Sequence, residues 1–288
     1  MTVDDNVRAG RLQEALAELQ AQVRKQPADP RLRVLLFQLL VVLGQWQRAL
    51  TQLKVAAELD PIALAMMQTY KEALHCEVLR AEIFAGRRTP LLFGQPEEWM
   101  ASLLSALQLT AAEKFDQAAA LRERAFEGAP ASAGQIDGQP FAWLADADSR
   151  LGPVLEAIVN GRYYWIPLAR LREIKIEKAA DLRDLVWMPA QLTFANGGDT
   201  VALIPTRYTG TEGSSDSRLL MARGTEWTER PGNTYLGIGQ RMFATDQGEF
   251  ALMDVRVIQF QAAASDPASD PASDPASVTE AGASSRSV

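Results

Sequence analysis

The stretch best suited to chemistry is Phe141 to Arg150, FAWLADADSR, where Asp146, Asp148 and Ser149 follow an apolar run. Carboxylates one residue apart can share a magnesium ion, and an Asp-x-Asp after a strand opens some phosphohydrolases. Such enzymes also need alternating strands and helices with later Lys and Asp motifs, a pattern this sequence lacks. The residues are therefore read as caps for a helix around Leu151 and as partners of Arg150 or other arginines. A magnesium-dependent hydrolase using Asp146 and Asp148 stays as the alternative of another class.

His75 is the one histidine and Cys76 the one cysteine. Adjacent residues on a helix point about 100° apart, so they make a poor nucleophilic pair, and together they are too few for a zinc site. Arg162 with Tyr163, Tyr164 and Trp165, and Arg207 with Tyr208, have the composition of a stacking surface for nucleic acid. In an acidic chain without a basic stripe they read better as core and strand aromatics. Gly237-Ile238-Gly239 has no helix after it to make a phosphate loop. Catalytic, metal and cofactor residues are accordingly read as none.

What must position these residues begins with a repeat. Gly10, Ala15, Leu16, Leu19 and Pro27 recur 34 residues on as Gly44, Ala49, Leu50, Leu53 and Pro61, the tetratricopeptide period. In a third copy Phe115, Ala118, Ala125 and Pro130 stand for Trp46, Ala49, Ala56 and Pro61. Ala49 and Ala56 allow close helix approach while Trp46 and Leu53 fill the space beside them. The spacing predicts a first helix from about Asp4 to Lys25, an apolar helix over 32–43, the Trp46 helix, and one long helix over 62–85 where a repeat turn has been lost. A loop follows over 86–96, then a helix opened by Pro96-Glu97-Glu98, and then a capping box from Thr110 to Glu113.

After Ala129 to Pro140, a small polar linker, the rhythm changes. A helix is expected over 151–160 and a short one over 179–185. Strands are expected over 163–167, 186–195, 200–205, 219–227, 235–245 and 249–260, with hairpin turns at Asn196-Gly197-Gly198 and Asp246-Gln247-Gly248. Alternation of Ala251, Met253, Val255 and Val257 against Asp254 and Arg256 supports the last strand. The fold class is thus a helical repeat domain, residues 1–130, followed by an α+β domain, residues 131–260, with a small antiparallel sheet or partial barrel. The repeated Ser-Asp-Pro-Ala of residues 261–288 is expected to be disordered.

The net charge is −7, of which −3 lies beyond Gln261. A mildly acidic body disfavours nucleic acid or an anionic membrane as partner. An acidic N-terminus, no apolar run of about 18 residues and one cysteine fit a cytoplasmic protein.

Several strings resemble the ImpE family, also called TagJ or SciE-type, accessory components of type VI secretion systems. They are Phe141 to Pro153 (with Trp143, Asp146, Asp148, Ser149, Arg150), Gly161 to Pro167 (Tyr163, Tyr164, Trp165), Leu182 to Ala190 (Arg183, Trp187), Pro205 to Tyr208 (with Arg207), and Gly237 to Arg241 (with Gln240). The resemblance spans about residues 1–260. It implies a non-enzymatic adaptor that binds an N-terminal helix of the contractile sheath's small subunit, TssB-like, and links the sheath to the ClpV ATPase. It assigns no catalytic residue. A helical stack with a long fused helix would offer a groove for such a helix. A tetratricopeptide-type peptide binder of some other complex is the second reading.

Overall fold

Helices α1 (Val3–Arg8), α2 (Leu12–Lys25), α3 (Pro30–Val42), α4 (Trp46–Leu59), α5 (Leu64–Phe84), α6 (Glu98–Ala111) and α7 (Phe115–Gly128) form the front of the chain in a computed structural model that describes residues 2–261. The expected disorder of the tail beyond Gln261 lies outside the described residues.

The repeat signature is written most clearly in the joints. Gly10 and Gly44 adopt left-handed backbone, φ +74° and +67°, which glycine enters without steric cost. Each is followed by an amide that reaches back across the turn, Arg11 N–H to Asn6 O and Gln45 N–H to Leu40 O, the Schellman closure of a helix. The third copy closes identically, Lys114 N–H to Leu109 O, with Glu113 in the glycine's place at φ +58°. The expected capping box is therefore absent: Thr110 lies inside α6 and donates to Ala106 O at 2.8 Å. Likewise the expected first helix is two, because the Gly10 turn ends α1 and Thr2 caps it. Ala49, Leu53, Ala56, Ala118 and Ala125 are fully buried where α4 and α7 pack on their neighbours, with Trp46 and Phe115 half-buried beside them.

The rear of the chain holds more strand than expected. The 86–96 loop contributes β1 (Leu91–Leu92), and the linker reading of 129–140 is overturned by β2 (Gly134–Ile136) and β3 (Gln139–Phe141), joined through Asp137-Gly138. Next come β4 (Leu144–Asp146), β5 (Val154–Val159), β6 (Arg162–Pro167), β7 (Leu171–Ile176), β8 (Trp187–Phe194) and β9 (Asp199–Pro205). A short α8 (Ser217–Leu220) and β10 (Thr225–Arg230) replace the single strand expected over 219–227. The expected 235–245 strand is broken at Gln240-Arg241 into β11 (Thr234–Gly239) and β12 (Met242–Thr245). The last expected strand is β13 (Gly248–Ala251) and β14 (Val257–Phe260), so the alternation seen through Asp254 belongs to a turn. The short 179–185 helix is a single 3-10 turn, Leu182–Leu185, capped by Asp181.

The helix expected over 151–160 is instead β5, buried along its whole length. Nine strands form one curled sheet, β1-β6-β5-β9-β8-β7-β14-β2-β3, antiparallel except at β1 and β6. Period-two alternation divides its residues between two cores. Val154, Ile158, Tyr163, Trp165, Trp187 and Leu203 face the helices, while Leu155, Ala157, Ile166, Met188 and Ile204 fill the inside of the curl. Since Leu36 to Val42 of α3 are all buried, α3 is covered by the sheet module as well as by α2 and α4.

Candidate functional site

Charge lies where the two halves meet. Arg80 and Glu77 on α5 point into the interface with Glu156 of β5, Asp146 at the end of β4, and Arg241 in the break between β11 and β12. Arg80 binds Glu156 in two-pronged fashion, Nε at 2.6 Å and Nη2 at 3.1 Å, and also donates to Arg207 O at 2.8 Å. Arg241 bridges Asp146 and Glu156 and donates through Nε to Pro205 O at 2.9 Å. Tyr163 donates to Glu156 and accepts from Trp165 Nε1 at 2.8 Å.

Asp146 also accepts the Tyr208 hydroxyl at 3.0 Å and the Asp148 amide at 2.8 Å. Asp148 takes Arg150 through Nε at 2.8 Å and Nη2 at 2.5 Å, plus the Gly237 amide at 2.8 Å. The expected helix caps are thus absent, while the expected pairing of Asp148 with Arg150 is present. Ser149 exchanges hydrogen bonds with the Tyr235 backbone, and Gln240 accepts the Met253 amide.

The remaining motif residues tie the sheet to the helices. Trp187 donates to Glu77 at 2.9 Å and packs against Trp46 and Tyr70. Arg207 donates to Val42 O at 2.8 Å and Val41 O at 3.4 Å, placing a cation at the negative end of α3. Arg183 lies over the Tyr70 ring, and Arg150 over Phe84. Tyr164 faces the other way, edge-on to Phe93. Trp143 stands apart at 43% exposed.

At this joint Arg80, Arg150, Arg207 and Arg241 face Glu77, Asp146, Asp148 and Glu156, four cationic side chains to four acidic ones. Burial raises Glu156, but Arg80 and Arg241 outweigh it and hold the carboxyl at about 2. Asp146 has one arginine and two neighbouring acids, and there burial wins, pushing it up to about 6. Burial lowers Arg207 to about 10 and raises the Cys76 thiol to about 12, leaving it a poor nucleophile. Because arginines already engage Asp146 and Asp148, an arriving cation would meet guanidinium groups; among the described residues no acid, His or Cys cluster has metal-binding geometry.

Glu77, Arg80 and Glu156 were not singled out in the sequence. Their one signal is charge inside otherwise apolar segments, and Arg80 and Glu156 stand 76 residues apart.

Comparison with known proteins fits this arrangement. The ImpE protein family profile matches residues 138–259, and a tetratricopeptide repeat profile matches 7–69. The type VI secretion system accessory component TagJ of Pseudomonas aeruginosa is 56% identical over 261 residues, 91% of this chain and 92% of that one. The chain belongs to the ImpE family. The crystal structure of protein VPA1032 from Vibrio parahaemolyticus is 24% identical and superposes with a TM-score of 0.82, covering 90% of this chain and 97% of that chain; the two share a fold. Among the described residues no helix is long and apolar enough to cross a membrane.

Proposed function

We propose that this chain is a non-catalytic adaptor of a type VI secretion system. It holds the N-terminal helix of the sheath small subunit, of the TssB kind, and links the sheath to the ClpV ATPase. The observation that carries the reading is 56% identity across 91% of the chain to a protein named as an accessory component of that system. The interior supports it from another side. Asp146, Asp148, Arg150, Arg207 and Arg241 spend their hydrogen-bonding groups on neighbouring side chains and backbone, where a catalyst would aim them at a substrate.

Tagged full-length chain is expected to retain purified sheath small subunit and to lose it when that subunit's N-terminal helix is deleted. Undiminished capture of the deleted form contradicts recognition through the helix, and failure to capture the intact subunit contradicts the adaptor role. ClpV is expected in the captured complex only when the adaptor is present.

A further inference from the structure

One residue of α3 does not match its surroundings. Leu36 to Val42 are all buried, and all are apolar except Gln38, which is 6% exposed. Its side-chain amide has no hydrogen-bond partner among the described residues. A polar group held away from water without a partner lowers stability, and an apolar residue at this point would not.

The unpaired amide lies where two hollows meet along α3. One, of about 320 Å³, is walled by Pro30, Val34 and Ala63. The other, of about 530 Å³, is walled by Val7 of α1, Leu182 and Leu185 of the 3-10 turn, and Met221 after α8. Leu35, Gln38 and Asp181 line both, so the hollows form one groove. From Pro30 to Gln38 alone it follows about 12 Å of helix, the length of about four extended residues.

The charges of the lining balance. Asp4, Asp60 and Asp181 stand with Arg8, Arg31 and Arg223. Asp60 accepts the Ile62 amide at 2.9 Å, Asp181 pairs with Arg183 at 2.5 Å, and Arg223 donates to Arg8 O at 2.9 Å. A lining of this kind favours an occupant without net charge.

We propose that the groove binds an extended, uncharged segment of a partner protein, held by its main chain at Gln38 and by apolar side chains in the hollows on either side. The carboxamide decides the form of the occupant. It offers both donor and acceptor, and so does a residue in an extended chain, whose N–H and C=O point to the same side. In a helix those groups are already bonded along the axis. The occupant is therefore a different kind of segment from the helix proposed above for the sheath subunit, and the two readings stand or fall separately. The chain's own Asp266, Asp270 and Asp274, one acid every four residues, match a neutral groove poorly.

The test is selection of a random heptapeptide phage library on immobilised full-length chain, with Gln38→Leu as the parallel target. Enriched peptides are expected to be uncharged, with apolar residues on both sides of a central position, and to bind Gln38→Leu at least about tenfold more weakly by calorimetry. Methylating the central peptide nitrogen, which removes one N–H and keeps every side chain, should weaken binding to wild type and change little in Gln38→Leu. Gln38→Leu itself should melt at or above the wild-type temperature, because it removes an unpaired polar group. A clear drop would reveal a partner for the amide and overturn the proposal. Peptides that bind both proteins alike, peptides selected for their charge, or no enrichment over Gln38→Leu overturn it too. A dimer of the chain alone that Gln38→Leu dissolves assigns the groove to a second copy and also overturns it. Capture of the sheath small subunit tests the adaptor reading independently of all these results.

Discussion

Replacing Arg241 with alanine is expected to cost about 3–5 kcal/mol of folding stability at neutral pH, because it leaves Asp146 and Glu156 charged and buried with one guanidinium fewer. Arg241 is fully buried and also holds Pro205 O, so no water can step in without opening the joint. The penalty should shrink on acidification. Asp146 already sits above its unfolded value, at about 6, so its protonated form is favoured by folding and that stability is lost as pH rises from about 4 through 6. Without Arg241 the shift grows, and the variant should recover part of its deficit below pH 6. Glu156, held at about 2, acts oppositely: its contribution is complete above its ordinary range near 4.5 and is lost as pH falls toward 2. Urea midpoints of wild type and Arg241→Ala between pH 2 and 8 check both signs. A variant as stable as wild type at pH 7, or one whose deficit grows on acidification to pH 5, contradicts the charge balance described.

Trp187→Ala is expected to cost about 3–5 kcal/mol, the range for deleting a large buried aromatic. The side chain is fully buried, fills the space between Trp46 and Tyr70, and donates to Glu77. Its loss opens a cavity between sheet and helices and leaves a buried carboxylate with one donor fewer. Trp187→Phe restores most of the ring contact and omits the donor, so it should fall between wild type and alanine. Thermal melts of the three proteins would show this order, and equal midpoints for Phe and Ala would mean that the ring fills no space.

The sequence disclosed the helical front well because α2 and α4 each bury one stripe. The Leu12, Leu16, Leu19 pattern and the Gly44, Ala49, Leu53, Ala56 set carry a 3.6-residue period between explicit turn signals. It disclosed β5 badly for a physical reason. Val154 to Val159 is buried on both faces, so polar and apolar residues do not alternate, and Leu, Glu and Ala are good helix formers. Ala129 to Pro140 reads as a linker because its residues are small and polar, although Asp137-Gly138 is itself a hairpin turn signal. The motif strings could be recognised one by one, but their joint meaning could not. Arg80 and Glu156 carry no motif of their own, and only folding brings Arg241, 85 residues after Glu156, against Asp146 and Glu156.

The central claim is that the motifs join the helical repeat and the sheet into one body, leaving its surface to hold a partner. Urea unfolding of the wild-type protein, followed together by helical far-UV dichroism and tryptophan fluorescence, bears on it most directly. One coincident transition from both signals is the predicted result. Two separated transitions, with the helices melting while the tryptophans of β6 and β8 stay buried, would contradict it.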